Sequence, residues 1–204
     1  MVDEEDNEIK IILLGDCGVG KTNIISRYLK DEFKEKEMST NGANYVMKKI
    51  YFNGLNYQIN IWDTAGQEKY RSVTKMFLQD SQILLLCYSI TDRQSYENLN
   101  FWYQLATDII GENIVLGIAG NKSDLFEKEK VKDSEGEAFA KEHKGIFKLI
   151  SAKTNKKGID ELFNLLLKRF IMIKNGKDIN SDLNSINLNK NKNAIQKKKR
   201  CCQN

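Results

Sequence analysis

The feature that most constrains this chain is a glycine-rich segment that lies between an apolar run and a helical pattern. Residues 15–22 read GDCGVGKT and fit the pattern GxxxxGK followed by Ser or Thr. Residues 9–14 before it have the pattern of a buried strand, and residues 22–30 after it keep helical spacing. Glycines at such a turn let backbone N–H groups close on phosphate oxygens at a helix N-terminus. The segment therefore predicts a phosphate-binding loop, with Lys21 placed to neutralise phosphate charge and Thr22 to ligate Mg²⁺.

Further short apolar runs alternate with helical patterns up to residue 174. This alternation predicts an α/β domain built on a mostly parallel sheet. Residues 45–52 and 55–62 flank Asn53-Gly54, a strong signal for a two-residue hairpin and hence for one antiparallel strand. The other predicted strands are residues 83–88, 114–119 and 147–150, and helical spacing recurs at 99–110 and 159–173.

Charge separates the chain into a nearly neutral body and a basic tail. Residues 175–204 contain seven Lys or Arg and two Asp, a net charge of +5, so residues 1–174 sum to −1 within the total of +4. A protein that binds duplex nucleic acid more often carries basic charge on a folded face, so a nucleic-acid partner is disfavoured. The tail is rich in Asn and Lys, which predicts a disordered linker. The expected domains are an acidic arm (1–7), a folded domain (8–174) and this tail (175–204).

Neither a membrane span nor a disulfide framework is expected. No apolar run approaches the roughly 20 residues that a membrane helix needs, and the acidic N-terminus lacks the apolar region of a secretory signal. Of the four cysteines, Cys201 and Cys202 are adjacent in the tail, while Cys17 and Cys87 lie in the body. This arrangement suits a reducing compartment.

Two later motifs indicate which base the site accepts. Residues 121–124 read NKSD directly after a predicted strand, and residues 151–153 read SAK at the end of the next one. Ligands of open α/β sheets bind at the carboxyl ends of strands, so both motifs are expected beside the phosphate loop. The first matches the NKxD motif of GTPases, in which the Asp, here Asp124, accepts from both N–H donors of the guanine edge. Adenine lacks that donor pair, so an ATP-using enzyme is disfavoured.

These motifs, together with WDTAGQE at 62–68 and KYRSVT at 69–74, resemble those of Rab-type small GTPases of the Ras superfamily over residues 8–173. The resemblance implies the P-loop NTPase fold called the G domain: a six-stranded, mostly parallel sheet with one antiparallel strand and about five flanking helices. It implies a GTP phosphohydrolase that cycles between GTP- and GDP-bound states to regulate vesicle trafficking. The Ras and Rho branches are disfavoured by the double cysteine and by WDTAGQEKYRS.

The resemblance assigns catalytic roles to Gln67, Lys21 and Thr40. Gln67 would orient the attacking water, and Thr40 lies 19 residues after Lys21, the spacing of the switch I threonine. No arginine finger is evident in the chain, so intrinsic hydrolysis is expected to be slow and to need an activating protein. Cys17 stands where Ras has glycine. Either its side chain crowds Gln67 and slows hydrolysis further, or it is a tolerated small residue.

The resemblance also implies a set of nucleotide and metal contacts. Thr22, Thr40 and Asp63 would hold Mg²⁺, Asp63 through water. Phe33 would stack on the guanine, and Gly66 would offer its N–H to the γ-phosphate. The full set of expected GTP/GDP contacts is Cys17, Gly18, Val19, Gly20, Lys21, Thr22, Asn23, Phe33, Thr40, Gly66, Asn121, Lys122, Asp124, Ser151, Ala152 and Lys153.

Tyr45, Trp62 and Phe77 fall on the three aromatic positions with which Rabs read effectors. The same aromatics could be interswitch core, and the two interpretations are compatible. Residues 41–45 (NGANY) and 77–81 (FLQDS) depart from the usual Rab sequences, and Asn41 puts a polar group where effectors meet an aliphatic residue. The chain is therefore identified as a divergent Rab.

The ending Cys201-Cys202-Gln203-Asn204 resembles the CCxx ending of Rabs that carry two geranylgeranyl groups. It fits a CaaX frame poorly, and the basic residues 197–200 before it suit an anionic cytoplasmic leaflet. The expected location is the cytoplasmic face of intracellular membranes, with cycling through the cytosol. The expected partners are an exchange factor, a GTPase-activating protein, a GDP-dissociation inhibitor or escort protein, and effectors; the domain itself is expected to be a monomer.

A binding-only module remains the main alternative to a hydrolysing switch. Such a protein would stay locked with GTP and act as a membrane scaffold. The presence of Gln67, Thr40 and Lys21 argues against it, whereas Cys17 leaves it open.

Overall fold

The computed structural model describes residues 7–35, 40, 43–52, 54–64 and 76–176. Within them a six-stranded sheet has the order β2-β3-β1-β4-β5-β6. Strand β2 runs antiparallel to β3, and every other neighbouring pair is parallel. The strands are β1 (Glu8–Leu14), β2 (Ala43–Phe52), β3 (Leu55–Thr64), β4 (Ile83–Ser89), β5 (Val115–Asn121) and β6 (Ile146–Leu149). The expected mostly parallel sheet with one antiparallel strand is confirmed.

The hairpin of β2 and β3 has the register that its turn signal predicts. The pairing extends from Ala43 opposite Thr64 to Phe52 opposite Leu55, which leaves two residues for the turn. Gly54 has a φ of +86°, in the left-handed region that such turns require. Asn53 lies outside the described residues. The hairpin ends at Thr64, so the segment that follows it starts from the carboxyl end of β3.

The core sits around the three central strands. Every residue of β4 and β5 is buried, as is the carboxyl half of β1. Strands that are covered on both faces appear in sequence as unbroken apolar runs, which is why these three were recognisable. On one side of the sheet, Leu86, Tyr88, Trp102, Ile118 and Phe139 belong to one continuous cluster of buried side chains.

The helices in the described part of the chain agree with the expected number of about five. Tyr28 of the first helix stacks on Phe163 of the last, with ring centroids 3.9 Å apart and planes 6° from parallel. No helix among the described residues is long and apolar enough to cross a membrane. The helices are α1 (Lys21–Lys30), α2 (Arg93–Glu97), α3 (Leu99–Ile110), the 3₁₀ helix η1 (Ser123–Lys128), α4 (Asp133–Glu142) and α5 (Lys156–Lys174).

Contacts divide the chain into two compact units, residues 1–166 and 167–204. The first contains the whole sheet and the start of helix α5. The described part of the second is the end of that helix, to Lys174, and the two residues after it. The predicted domain boundary at residue 174 stays a prediction.

Several element limits differ from the sequence prediction. Strand β5 starts at Val115 and continues to Asn121, because Gly120 and Asn121 pair with the end of β4. Strand β6 covers Ile146–Leu149, one residue earlier in the chain than the predicted range 147–150. Helix α2 was not predicted: it has five residues, too few to show a helical period, although Asp92 caps it by accepting from the Gln94 N–H at 3.2 Å.

Tyr88 allows a test of what a buried hydroxyl without a hydrogen-bond partner costs in stability. Its hydroxyl is buried without a hydrogen-bond partner among the described residues, and burial raises the pKa of Tyr88 well above its usual range. Because a desolvated, unpaired hydroxyl is unfavourable, we expect Tyr88→Phe to raise the free energy of unfolding by about 1 kcal/mol in urea titrations. Tyr96→Phe is the control, since the Tyr96 hydroxyl donates to the Glu135 carbonyl at 3.0 Å and its loss should destabilise. A loss of stability in Tyr88→Phe equal to that in the control would contradict this account.

Candidate functional site

The carboxyl ends of the strands border a cavity of about 400 Å³. The loop after β1, the end of β3, the segment after β5 and the loop after β6 all contribute to its wall. Three lining residues, Glu35, Thr64 and Leu125, were not predicted. The predicted contacts that line it are Cys17, Gly18, Gly20, Lys21, Thr22, Asn23, Phe33, Thr40, Asn121, Lys122, Asp124, Ala152 and Lys153.

The loop between β1 and α1 needs glycine at its first position for space. A Cβ at Gly15 would lie 2.1 Å from the carbonyl oxygen of Cys87 in β4, and the φ of Gly15 is +143°. Gly20 is also in the left-handed region, with a φ of +98°, and directly precedes helix α1. The loop therefore passes close to strand β4 and leads directly into the N-terminus of helix α1. The backbone N–H groups at a helix N-terminus favour the binding of an anion.

Lys21 is buried at the first position of helix α1, with 6% of its surface exposed. Its Nζ donates to the carbonyl oxygens of Gly15 at 2.7 Å and Asp16 at 2.9 Å. Burial lowers the pKa of Lys21, while neighbouring groups that include Asp63 act in the opposite direction. These two partners are neutral oxygens, so a desolvated ammonium at the cavity wall would be stabilised by an anion. This observation fits a phosphate.

Three oxygen-bearing side chains, those that the family resemblance implies for the metal site, lie close to one another. Thr22 Oγ1 donates to Asp63 Oδ2 at 2.6 Å, and Thr40 Oγ1 lies 3.1 Å from Thr22 Oγ1 and 3.5 Å from Asp63 Oδ2. Hydroxyl and carboxylate oxygens are the donors that Mg²⁺ prefers, and Mg²⁺ usually takes few protein ligands and completes its shell with phosphate and water. No cluster of three or more His, Cys, Asp or Glu occurs among the described residues. The donor set thus fits Mg²⁺ better than a metal held by protein alone.

Asn121, the last residue of strand β5, joins the loop after β1 to the loop after β6 and is itself almost fully buried. Its Nδ2 donates to the carbonyl of Val19 at 2.8 Å, and its Oδ1 accepts from the backbone N–H of Ala152 at 3.1 Å. Lys122, in a left-handed conformation with a φ of +66°, donates from Nζ to the carbonyl of Gly18 at 2.7 Å. The side chain of Asn121 is therefore engaged with protein, and the side chain of Val19 is buried away from the cavity.

Asp124 also lines the cavity and is oriented by Ser151. The Ser151 hydroxyl is fully buried, donates to Asp124 Oδ1 at 2.5 Å, and accepts from the backbone N–H groups of Lys153 and Thr154 at 3.1 Å each. Ser151 does not line the cavity; it sets the direction of a carboxylate that does. A fixed carboxylate at this place can accept two N–H groups from a ligand ring.

Arg27, which the sequence did not single out, holds the same loop from helix α1. Its Nε donates to the carbonyl of Ala152 at 2.8 Å, and its Nη2 donates to the carbonyl of Lys153 at 3.0 Å. Nη1 pairs with Asp31 at 2.7 Å. The Asp31 pair is an i,i+4 contact that sequence spacing can indicate, but the bond to Ala152 crosses 125 residues and leaves no local signal.

The segment after helix α1 is tied back to that helix. Asn23 makes two hydrogen bonds of 2.9 Å to the backbone of Lys34, one through Nδ2 and one through Oδ1. Phe33, next to this tie, is half-buried at the cavity wall, and Lys153 pairs with Glu35 at 3.2 Å. Asn23 thus fixes the loop that carries Phe33, as well as lining the cavity itself.

Tyr45, Trp62 and Phe77 form one contiguous aromatic group outside the cavity. Ring centroids lie 5.1 Å apart for Tyr45 and Trp62, and 4.9 Å apart for Trp62 and Phe77. Tyr45 is 48% exposed, while Trp62 and Phe77 are half-buried and pack against the core cluster. The group is therefore partly core and partly surface, in keeping with both interpretations of the sequence.

Some predicted positions lie outside the described residues. They include two of the nucleotide site, Gly66 and Gln67, together with Asn41 and both tail cysteines, Cys201 and Cys202.

Comparison with known proteins agrees with this geometry. Residues 10–172 match the family model described as Ras family. The chain is 37% identical to Ras-related protein RGP2 of Oryza sativa subsp. japonica over 168 residues, 82% of this chain and 77% of that protein. It is 36% identical to Ras-related protein Rab2BV of Beta vulgaris over 185 residues (91% and 86%), and 38% identical to Ras-related protein RABA2b of Arabidopsis thaliana over 170 residues (83% and 79%). The chain therefore belongs to the Ras family and is a Rab-type small GTPase, an enzyme of a class that binds guanine nucleotide.

Proposed function

We propose that this GTPase works as a slow molecular switch, which binds GTP and GDP in the cavity and hydrolyses GTP with Mg²⁺. One observation carries the proposal: a single cavity is lined both by the oriented carboxylate of Asp124 and by the buried Lys21. The first group suits the N–H edge of guanine and the second suits a phosphate.

At the phosphate end, the chain's own residues position the substrate and neutralise its charge. Lys21 would bind phosphate oxygens, and the backbone at the N-terminus of helix α1 would donate to them. Bound Mg²⁺ would supply further positive charge, with Thr22, Thr40 and Asp63 as the residues that hold it. Phosphoryl transfer depends mainly on positioning and charge stabilisation, and these groups provide both.

Hydrolysis itself would depend on Gln67, which we propose orients the attacking water. No arginine among the described residues lines the cavity, so the intrinsic rate should be slow, on the order of 10⁻⁴ to 10⁻³ per second, as in a related enzyme that has no arginine finger of its own. An activating protein in trans would raise it.

Single-turnover hydrolysis by the full chain tests this proposal. Protein loaded with GTP should release one phosphate slowly with Mg²⁺ and much more slowly with EDTA. Gln67→Leu should lower the rate with Mg²⁺ by about 10- to 100-fold, because a positioned polar group is lost. Gln104→Leu, at an exposed position of helix α3, is the matched control and should leave the rate unchanged. Intact GTP retained by the wild-type chain would instead support the binding-only scaffold.

Cys17 gives a finer test of the same step. It is exposed and lines the cavity, so its side chain is available to crowd a catalytic glutamine. Under the crowding hypothesis, Cys17→Gly should raise the single-turnover rate several-fold. Cys17→Ser, which keeps a side chain of similar size, should leave the rate close to that of the wild type. Equal rates in all three proteins would mean that Cys17 is merely tolerated.

We also propose that the switch regulates vesicle trafficking from a membrane-bound position. Cys201 and Cys202 would carry geranylgeranyl groups, and residues 197–200 would add attraction to anionic lipid. An exchange factor, an activating protein, a GDP-dissociation inhibitor or escort protein, and effectors would be its partners, the last through Tyr45, Trp62 and Phe77. Mass spectrometry of the chain from its own cells tests the anchor: two isoprenyl groups on the last cysteines support it, and unmodified cysteines contradict it.

A further inference from the structure

Asp16, in the phosphate-binding loop, is held by two side chains of the segment that starts helix α3. Its Oδ1 accepts from Trp102 Nε1 at 2.7 Å, and its Oδ2 accepts from Asn98 Nδ2 at 2.7 Å. Asn98 and Trp102 are one helical turn apart, so their donors reach the carboxylate together. Trp102 is only 3% exposed, which protects its bond from water. Both oxygens of one carboxylate are thus engaged by a helix that lies more than 80 residues away in sequence, by 82 and 86 residues.

The same residue also holds the phosphate lysine. The backbone carbonyl of Asp16 accepts from Lys21 Nζ at 2.9 Å, beside the bond from Gly15. The side chain of Asp16 therefore anchors to helix α3 the peptide on which the ammonium rests. A shift of Asp16 would move a partner of Lys21 and the loop residues that follow.

The side chain of Asn98 does not cap helix α3, although it stands at the capping position. It stands at the N-cap of helix α3, where Asn ordinarily accepts from the backbone N–H groups of the first turn. Here it makes no such bond; its Nδ2 donates to Asp16 and its Oδ1 accepts from Gln94 Nε2 at 3.1 Å. The helix thus gives up a cap in favour of a contact with the loop.

The engagement also has an electrostatic consequence. A carboxylate beside a phosphate site would repel its ligand if the side chain turned inward. Two N–H donors hold both oxygens of Asp16 on helix α3, and Asp16 does not line the cavity. The loop can therefore include an acidic residue without turning that charge toward an anion.

We propose that Asp16, Asn98 and Trp102 form a clamp that positions the phosphate-binding loop and slows the release of guanine nucleotide. These are positioning residues, since they act through the loop backbone and Lys21 rather than on the ligand. The inference rests on the proposed role of Lys21 in binding phosphate. It makes helix α3 a structure through which a contact on the protein surface can alter nucleotide exchange.

The test measures release of fluorescently labelled GDP from the full chain with Mg²⁺, chased with excess GDP. Trp102→Phe keeps a ring but removes the N–H donor, and Asp16→Asn removes the charge. Each should release GDP about tenfold faster, the change that corresponds to about 1.4 kcal/mol. The double variant should release it no faster than the faster single variant, because both changes break one network. Asn98→Ala is an additional variant, at a half-buried position, and should also release GDP faster than the wild type.

Tyr96→Phe is the matched control, because it also removes one partly buried donor near the start of α3 but touches no residue of the loop. It should lower the melting temperature by an amount similar to that of Trp102→Phe and leave the release rate unchanged. Equal acceleration in the control, additive effects in the double variant, or wild-type release rates in all the clamp variants would overturn the clamp alone. A wild-type chain that binds no labelled GDP would overturn the proposed function together with it.

Discussion

Replacing Asp124 with Asn is expected to weaken GDP binding by about 100-fold or more. The carboxylate would accept two N–H groups of guanine, and a charge-assisted hydrogen bond contributes about 1.5–3 kcal/mol. Asn presents one acceptor and one donor, so one guanine N–H would meet another N–H. The same amide would pair with a base that carries a carbonyl in place of the guanine amino group. Xanthosine diphosphate should therefore bind the variant more tightly than the wild type, which competition against labelled GDP measures.

Asp92→Asn is the matched control for Asp124→Asn and its expected change in nucleotide preference. Asp92 is exposed, caps helix α2 and does not line the cavity, and Asn is an equally good cap. It removes the same charge from the surface and should leave both affinities at their wild-type values. If Asp124→Asn also bound GDP as the wild type does, Asp124 would not be the group that selects the base.

Replacing Lys21 with Met should weaken nucleotide binding by about 100- to 1,000-fold. The ammonium would contact phosphate oxygens through charge-assisted hydrogen bonds, which together correspond to about 3–4 kcal/mol. Without nucleotide, the same variant should be as stable as the wild type or more so. The reason is that Lys21 is buried with neutral carbonyl partners, and Met fills similar space without the desolvation cost that lowers the pKa of Lys21.

Calorimetric titration with GDP and thermal melting of the nucleotide-free protein separate these two effects. Lys10→Met is the control, because Lys10 also donates to a backbone carbonyl, that of Gln79 at 2.6 Å, and burial also lowers its pKa. Lys10 lies near the opposite end of strand β1, so its loss should leave the affinity for GDP unchanged. Wild-type affinity in Lys21→Met would contradict the phosphate assignment.

The sheet was predictable because its signals are local. Buried strands show as unbroken apolar runs, and the hairpin shows as alternation on both sides of Asn53-Gly54. Helix α2 was missed because five residues cannot display a period. The carboxyl end of β5 was misplaced because Gly120 and Asn121 carry little strand propensity, and their place in the strand depends on pairing with β4 and, for Gly120, also with β6.

Residues of the site could be predicted where they belong to a sequence motif. Contacts between residues far apart in the sequence could not be predicted as well. Lys21, Thr22 and Asp124 line the cavity as their motifs require. Asn121 and Ser151 were expected to contact the nucleotide, which stays a prediction; in the structure their side chains bond to protein groups that border the cavity, and only Asn121 lines the cavity itself. Nothing local indicates the bonds from Arg27 to Ala152 or from Trp102 to Asp16, since only the folded sheet brings these segments together.

The most direct test of the central claim is to identify the nucleotide that copurifies with the chain. The protein is denatured with acid, and the released nucleotide is separated by chromatography before and after overnight incubation with GTP and Mg²⁺. We predict about one GDP per chain at the start, and slow conversion of added GTP to GDP. An adenine nucleotide, or no nucleotide at all, would contradict the assignment of Asp124 to the base and Lys21 to the phosphates, on which the proposed function rests.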